Sequence, residues 1–406
     1  VISSPLGPSV VVAGAGSGKS ETMAGRVVWL VANGHVRPEQ VLGLTFTRKA
    51  VSELAERVRK RLDQLRAVDQ VPAEVLDGEP EVATYNAYAA RLVADHALRE
   101  AVEPSTRLLS VGQSWQLAAQ AVAAYDGPMD AVNVAPATVT DRVLALAGDL
   151  ADHLRTPDDV RGVGRWIRER AAALPARERT KDTTGALEDA QAAREQLLPL
   201  VERYTAAKQG LEAMDFGDQV ALAARIAERH PEVGMAERSR YRVVLLDEYQ
   251  DTSHAQLMLL RALFGGGHPV TAVGDPCQSI YGWRGASAGS LKSFPTDFPE
   301  GPGRPAPVRA LATSFRNGER ILSVATRMSE PLRGEGAQVP VLHPGPARRG
   351  RGAVTCALLR TETEESAWIA QMVEAALREG TNGRAPDGRP WPQGEGGSGL
   401  TPGGVA

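Results

Sequence analysis

Short apolar runs, each followed by a change of period, set the rhythm of the opening part of this chain. Val10-Val11-Val12 is β-branched and reads as a buried strand, and residues 19–31 then read as a helix. Val41-Leu42-Gly43-Leu44-Thr45-Phe46 predicts a second strand, and a charged amphipathic helix follows over about 48–65. Val82-Ala83-Thr84-Tyr85 is a candidate third strand, with a helix over about 86–99. From about 105 to 229 the pattern is helical throughout and rich in Ala, Arg, Glu and Leu, with breaks near Gly127-Pro128 and Pro175 and no strand signal. The mixed pattern resumes with the apolar strand over 241–246, a helix over about 254–264 and the strand over 269–273. Strands alternating with helices predict a parallel sheet, whose ligand site lies beyond the carboxyl ends of the strands.

This pattern divides the chain into the first part of an α/β domain over 1–104, an all-helical insertion over 105–212 and the second part of the domain over 213–300. Pro-rich residues 294–307 read as a linker. Val308-Arg309-Ala310-Leu311 then opens a second unit over 301–380, with a strand candidate over 353–359 and a helix over 364–378. The Gly/Pro-rich residues 381–406 read as a disordered tail or as degraded sequence. No internal repeat is evident.

Composition narrows the classes. At 406 residues and 43% hydrophobic, the chain can bury a sizeable core. A net charge of −3 gives no global basic field, so any nucleic-acid contact must come from a local groove. Cys277 and Cys356 lie far apart and offer neither metal spacing nor a disulfide framework, which fits a reducing cytoplasm. No run reaches the apolar length of a membrane span. The opening Val1-Ile2-Ser3-Ser4 has no Met and no signal-peptide anatomy, and reads as a fragment starting just ahead of its first strand.

The strongest chemical signal is Ala13-Gly14-Ala15-Gly16-Ser17-Gly18-Lys19-Ser20, between the first strand and the first helix. In that context backbone N–H groups and a positive helix end converge on an anion. In the Walker A pattern Lys19 reaches the β- and γ-phosphates and Ser20 holds Mg²⁺, although Ala13 stands at the usual first glycine. Leu245-Leu246-Asp247-Glu248-Tyr249-Gln250-Asp251 places two acids at a strand end. Asp247 can hold Mg²⁺ and Glu248 can deprotonate a water, while a solvated turn or a helix cap before His254 explains the same residues. In Gly274-Asp275-Pro276-Cys277-Gln278-Ser279-Ile280-Tyr281-Gly282-Trp283-Arg284-Gly285-Ala286, Gln278 follows a strand, where an amide can sense a γ-phosphate. Tyr281 and Trp283 beside Arg284 suit base stacking and phosphate contact on a single strand; core packing is the alternative for both rings.

Together these blocks resemble the UvrD/PcrA/Rep-like family of superfamily-one DNA helicases. The resemblance also rests on Leu44-Thr45-Phe46-Thr47-Arg48-Lys49-Ala50, Leu311-Ala312-Thr313-Ser314-Phe315-Arg316-Asn317 and Met214-Asp215-Phe216-Gly217-Asp218. The Gly274–Ala286 block looks most like AdnB-type motor subunits of actinobacterial helicase–nucleases. The resemblance implies a RecA-like P-loop NTPase with a parallel sheet, the all-helical insertion and the start of a second RecA-like domain, with ATP between the two. It implies 3′-to-5′ movement on single-stranded DNA, action at single-strand/duplex junctions, a possible partner motor or nuclease subunit, and no membrane. Carried over by position, Ala13 to Ser20 bind ATP, Ser20 and Asp247 bind Mg²⁺, and Glu248 activates water. Gln278 couples the γ-phosphate to DNA, Arg316 stabilises charge developing in phosphoryl transfer, and Phe315 stacks near the adenine. Phe46, Arg48, Thr84, Tyr85, Tyr281, Trp283 and Arg284 line the DNA track. Taken singly, Arg316 also reads as a surface ion pair and Phe46 as core. Ser314 stands where the family often has Asn, and no counterpart of the later second-domain motifs follows Arg378. The chain is therefore expected to be an ATP hydrolase and helicase in truncated N-terminal form, or a nucleotide-dependent DNA-binding module of a larger helicase–nuclease complex.

Overall fold

A computed structural model describes residues 1–67, 78–175, 178, 180, 184–282, 289–331 and 339–379. The chain opens with β1 (Ser9–Ala13), α1 (Lys19–Ala32), β2 (Val41–Thr45), α2 (Arg48–Ala67), β3 (Glu81–Thr84) and α3 (Tyr85–His96). It continues through β4 (Arg107–Leu108), α4 (Val111–Ala123), α5 (Pro136–Asp152), α6 (Pro157–Ala173), α7 (Ala186–Gly210), β5 (Ala213–Met214), α8 (Phe216–Arg229) and α9 (Pro231–Arg240). It then forms β6 (Val243–Leu246), α10 (His254–Phe264), β7 (Val270–Gly274), α11 (Ser290–Asp297) and β8 (Val308–Leu311). Last come β9 (Thr313–Ser314), α12 (Glu319–Met328), β10 (His343–Pro344) and α13 (Glu362–Glu379).

The chain divides into two units. The first holds Val1–Ala13 and Gly18–Leu311; the second holds Gly14–Ser17 and most of the described chain after Leu311. The first unit is built on a sheet in the order β3-β2-β6-β7-β1-β8, parallel at every pairing. Alternation along the strands builds two cores, because successive side chains leave opposite faces. Val10, Leu42, Leu44, Val244, Leu246, Val270 and Ala272 join one cluster, with residues of α3, α8, α10 and α11. Val11, Ala13, Val41, Val243, Leu245 and Val273 join the other, with residues of α1 and α2. Each fully buried aliphatic side chain is worth about 1.5–3 kcal/mol, so these doubly covered strands read as near-continuous apolar runs. At the start of the chain, buried Arg26 of α1 donates to the carbonyls of Val1, Ile2, Ser4 and Pro5 at 3.0–3.2 Å and pins the segment before β1.

Local signals set many helix starts. Ser110, Thr156, Asp215 and Ser253 each cap a helix and form reciprocal capping boxes with Gln113, Asp159, Asp218 and Gln256. The insertion has its own core, including Val139, Val143, Leu150, Leu197, Leu200 and Tyr204. It is not all-helical: β4 and β5 pair in parallel, with Arg107 opposite Ala213 and Leu108 opposite Met214. Two-residue strands carry no readable period, and their pairing closes the insertion where the chain enters and leaves it. Just before that exit, Lys208 lies 2.6 Å from Asp215 Oδ2 and 2.5 Å from Asp218 Oδ2, with its side chain 5% exposed. Tyr204 Oη donates to the same Asp215 oxygen at 3.1 Å.

Two further expectations change. Residues 294–307 are not a free linker. Phe294 and Phe298 stack at 4.8 Å and are buried, and Phe294 meets Tyr249 edge-on at 5.4 Å. The strand expected to open a second unit, β8, instead pairs with β1 as the edge of the first sheet, because Val308–Leu311 lies in register with Val10–Ala13. In the second unit β9 pairs with β10 in parallel. No strand forms over 353–359, where Val354 and Leu358 are exposed and unpaired. The expected tail, 381–406, lies outside the described residues. Among the described residues no helix is long and apolar enough to cross a membrane.

Two stability effects follow. Lys208→Met leaves two facing carboxylates without their cation and is expected to cost about 3 kcal/mol, read as a lower urea midpoint. His268 stacks on Phe264 at 5.4 Å, and its Nε2 lies 2.9 Å from the Tyr241 carbonyl. Burial holds its pKa down at about 4, against the bond to Tyr241 and with help from Arg238. A His pKa lowered by folding means the unfolded chain binds the extra proton first. Stability is therefore expected to fall as pH drops from about 6.5 towards 4, by about 1–2 kcal/mol after allowing for partial exposure. His268→Gln should flatten that loss in urea titrations at pH 7 and pH 5.

Candidate active site

Parallel pairing puts the carboxyl ends of β1, β2, β3, β6 and β7 on one edge of the sheet, and the chemistry-bearing residues follow those ends. The loop after β1 has Gly16 at φ +71° and Gly18 at φ +83°, conformations that favour glycine. Ser17 is buried and donates its hydroxyl to the Gly14 carbonyl at 2.7 Å. Helix α1 begins at Lys19, with Gly18 as its cap residue and so no capping side chain. Within the second unit, the loop tip packs against the segment from Ser314 to Arg316. Phe315 N donates to the Gly16 carbonyl at 2.8 Å, and Ser314 Oγ donates to the Ala15 carbonyl at 3.1 Å. A Cβ on Gly16 would fall 2.5 Å from Arg316 Cβ, a second reason for glycine there. Phe315 and Arg316 are exposed.

The acids after β6 occupy the first unit. Lys19 Nζ donates to Glu248 Oε2 at 3.1 Å, with side chains 12% and 33% exposed. Glu248 has φ +47°, a left-handed conformation that a glutamate rarely adopts. Asp247 is buried, and its Oδ1 accepts from Glu248 N at 3.0 Å. Burial pushes the Asp247 carboxyl up to about 6; the Glu248 carboxylate adds to the rise and Lys19 opposes it. Two adjacent acids, one raised by burial, form a site where added positive charge is favourable, and their oxygen donors suit a hard cation. Ser20, expected as the second ligand, stands in the first turn of α1.

The loop after β7 completes the arrangement. Asp275 is buried; its Oδ1 accepts from Cys277 N at 3.0 Å and its Oδ2 from Gln278 Nε2 at 2.5 Å. Gln278 is exposed. Gln250, which carries no role in the sequence reading, is 1% exposed and stands between these groups. Its Nε2 donates to Glu248 Oε2 at 2.9 Å, and its Oε1 accepts from Asp275 N at 3.0 Å. The only signal for Gln250 and Asp275 is their place after apolar strand runs, within blocks already singled out.

The residues expected on a DNA track separate. Phe46, after β2, stacks on Tyr281 at 5.1 Å and 23°, and both rings are partly exposed. Arg48 is exposed. Tyr85 does not line such a track. As the first residue of α3 it is 4% exposed within the core, and its hydroxyl donates to the Asp247 carbonyl at 3.0 Å. Its position directly after β3 turns the ring inward. Thr84 Oγ1 caps α3 by accepting from Ala87 N at 3.1 Å. Trp283 and Arg284 lie outside the described residues.

The parallel sheet with its glycine loop and strand-end acids is that of a RecA-like domain. Residues 1–299 match the model for the UvrD/REP helicase N-terminal domain, and the chain belongs to this family. It is 31% identical over 333 residues to the ATP-dependent DNA helicase UvrD2 of Mycobacterium tuberculosis (strain ATCC 25618 / H37Rv), a match covering 81% of this chain and 42% of that protein. It is 28% identical over 325 residues to the ATP-dependent DNA helicase PcrA of Staphylococcus aureus (strain NCTC 8325 / PS 47), covering 79% and 38%. The chain thus spans less than half the length of the curated relatives it matches.

Gly274, the last residue of β7, makes room for the Gln250 amide. A Cβ there would lie 2.5 Å from Gln250 Oε1 and 2.9 Å from Leu291 Cδ1. Gly274→Ala is expected to destabilise the chain by about 1–3 kcal/mol through overpacking, measured by urea unfolding.

Proposed function

We propose that this chain is the ATP-binding and ATP-hydrolysing part of a DNA helicase that moves 3′-to-5′ on single-stranded DNA. The observation that carries the reading is the Lys19–Glu248 pair, which joins the glycine loop's lysine to the strand-end acids across 229 residues of sequence. Residues 14–20 bind the triphosphate of ATP with backbone N–H groups and the Lys19 ammonium. When Lys19 turns to a phosphate, the Glu248 carboxylate loses that partner and becomes available to take a proton from water. Ser20 and Asp247 hold Mg²⁺, which supplies positive charge against the phosphate oxygens. Arg316, beside Gly16, adds a guanidinium to the charge that develops on the transferred group, and Phe315 stacks near the adenine. Gln278, tied to Asp275, senses the γ-phosphate. The Phe46–Tyr281 stack and Arg48 contact the DNA strand, since base stacking beside a cation suits binding without sequence preference.

ATP binding and hydrolysis by the purified chain, with and without single-stranded DNA, test this reading. Lys19→Ala is expected to abolish ATP binding. Glu248→Gln is expected to keep binding while lowering DNA-stimulated turnover about a hundredfold or more. Equal turnover in the parent and Glu248→Gln would remove Glu248 from the chemistry. ATP binding with no turnover in the parent would favour a nucleotide-dependent DNA-binding module.

A further inference from the structure

Gln250 is placed as a bridge rather than as filler. Both donors of its amide are used, one on Glu248 Oε2 at 2.9 Å and one on Asp251 Oδ2 at 3.1 Å. Its Oε1 accepts from Asp275 N at 3.0 Å, and its backbone carbonyl accepts from Ser279 Oγ at 3.3 Å. The missing Cβ of Gly274 supplies the space that the amide oxygen fills. No other side chain of this size meets the demand. A glutamate in its place would set a third carboxylate against Glu248 and Asp251. A methionine would leave both acids without that donor and Asp275 N without its acceptor. An asparagine is one methylene short.

Glu248 Oε2 shares two donors, Lys19 and Gln250. If Lys19 leaves for another anion, Gln250 is the donor that still holds the carboxylate. Movement of that carboxylate must then strain or carry the amide, and with it the start of the turn from Asp275 to Gln278. Buried, fully bonded amides transmit such shifts because breaking any one bond leaves an unsatisfied polar group.

We propose that Gln250 is a positioning residue that ties the Glu248 carboxylate to the loop leaving β7, so that a change at the Lys19–Glu248 pair is felt at Cys277 and Gln278. The proposal rests on the nucleotide reading above for its purpose, but the mechanical link can be tested without nucleotide. Cys277 lies inside the linked turn and its thiol serves as the probe. In the full chain carrying Cys356→Ser, the rate of Cys277 modification by a disulfide reagent is measured for the parent, Lys19→Met, Gln250→Met and the double variant. Lys19→Met is expected to change the rate about threefold or more when Gln250 is present and by less than about 1.5-fold in Gln250→Met, a non-additivity typical of residues in one network. No effect of Lys19→Met, or an equal effect in both backgrounds, would overturn the proposal. If Gln250→Met does not fold, Gln250→Asn replaces it in the same cycle, since it keeps donor and acceptor but cannot span both partners. Binding of a fluorescent ATP analogue to the parent is measured alongside. Its absence would sink the nucleotide reading, while the thiol cycle would still decide the bridge.

Discussion

Parallel hydrogen bonding through β2, β6, β7 and β1 is the constraint on which the site depends. In a parallel sheet every strand ends on the same edge, so Lys19 at the start of α1 and the loops after β6 and β7 converge within the first unit although they are distant in sequence. Val11 opposite Val273 and Leu245 opposite Thr271 set the register that brings Gly274 and Leu246 to that edge. A shift by one residue would turn Val10 and Val11 to the wrong faces and unmake both cores. The same apolar alternation therefore builds the sheet and aligns the acids with Lys19.

At that edge, charge and hydrogen bonding are closely matched. Asp247 and Glu248 are adjacent acids in partly buried surroundings, and Lys19 supplies the one cation that pairs with Glu248 among the described residues. The left-handed backbone of Glu248 turns its carboxylate towards Lys19 and Gln250 together. From there a continuous series of bonds runs through Gln250 and Asp275 to the exposed Gln278. Each group in the series is held by the next, so the arrangement has few independent parts.

The helical insertion shows a different balance. Its helices begin at local caps that require only neighbouring residues, whereas its closure depends on the pairing of β4 with β5 and on Lys208 between two aspartates. Asp215 does both jobs, capping α8 and accepting from Lys208 and Tyr204. The exit from the insertion is thus fastened by a buried charge cluster, which is strong only while all its members are present.

Sequence alone determined the alternation of strands and helices in the α/β part, several helix starts there, and the residue types of the glycine loop and the strand-end acids, because periodicity is local. The family resemblance grouped Phe46 and Tyr281 with Arg48, Tyr85 and Trp283 as a DNA track, and the fold stacks the first two rings on each other. Tertiary structure decided what local pattern does not contain. It made β8 an edge of the first sheet, turned the Pro-rich segment at Phe294 and Phe298 into core, and buried Tyr85 against Asp247. It also revealed Gln250 as the link between two loops. Strand partners, burial and hydrogen bonds between residues far apart arise only when the sheet closes, and no window of neighbouring residues records them.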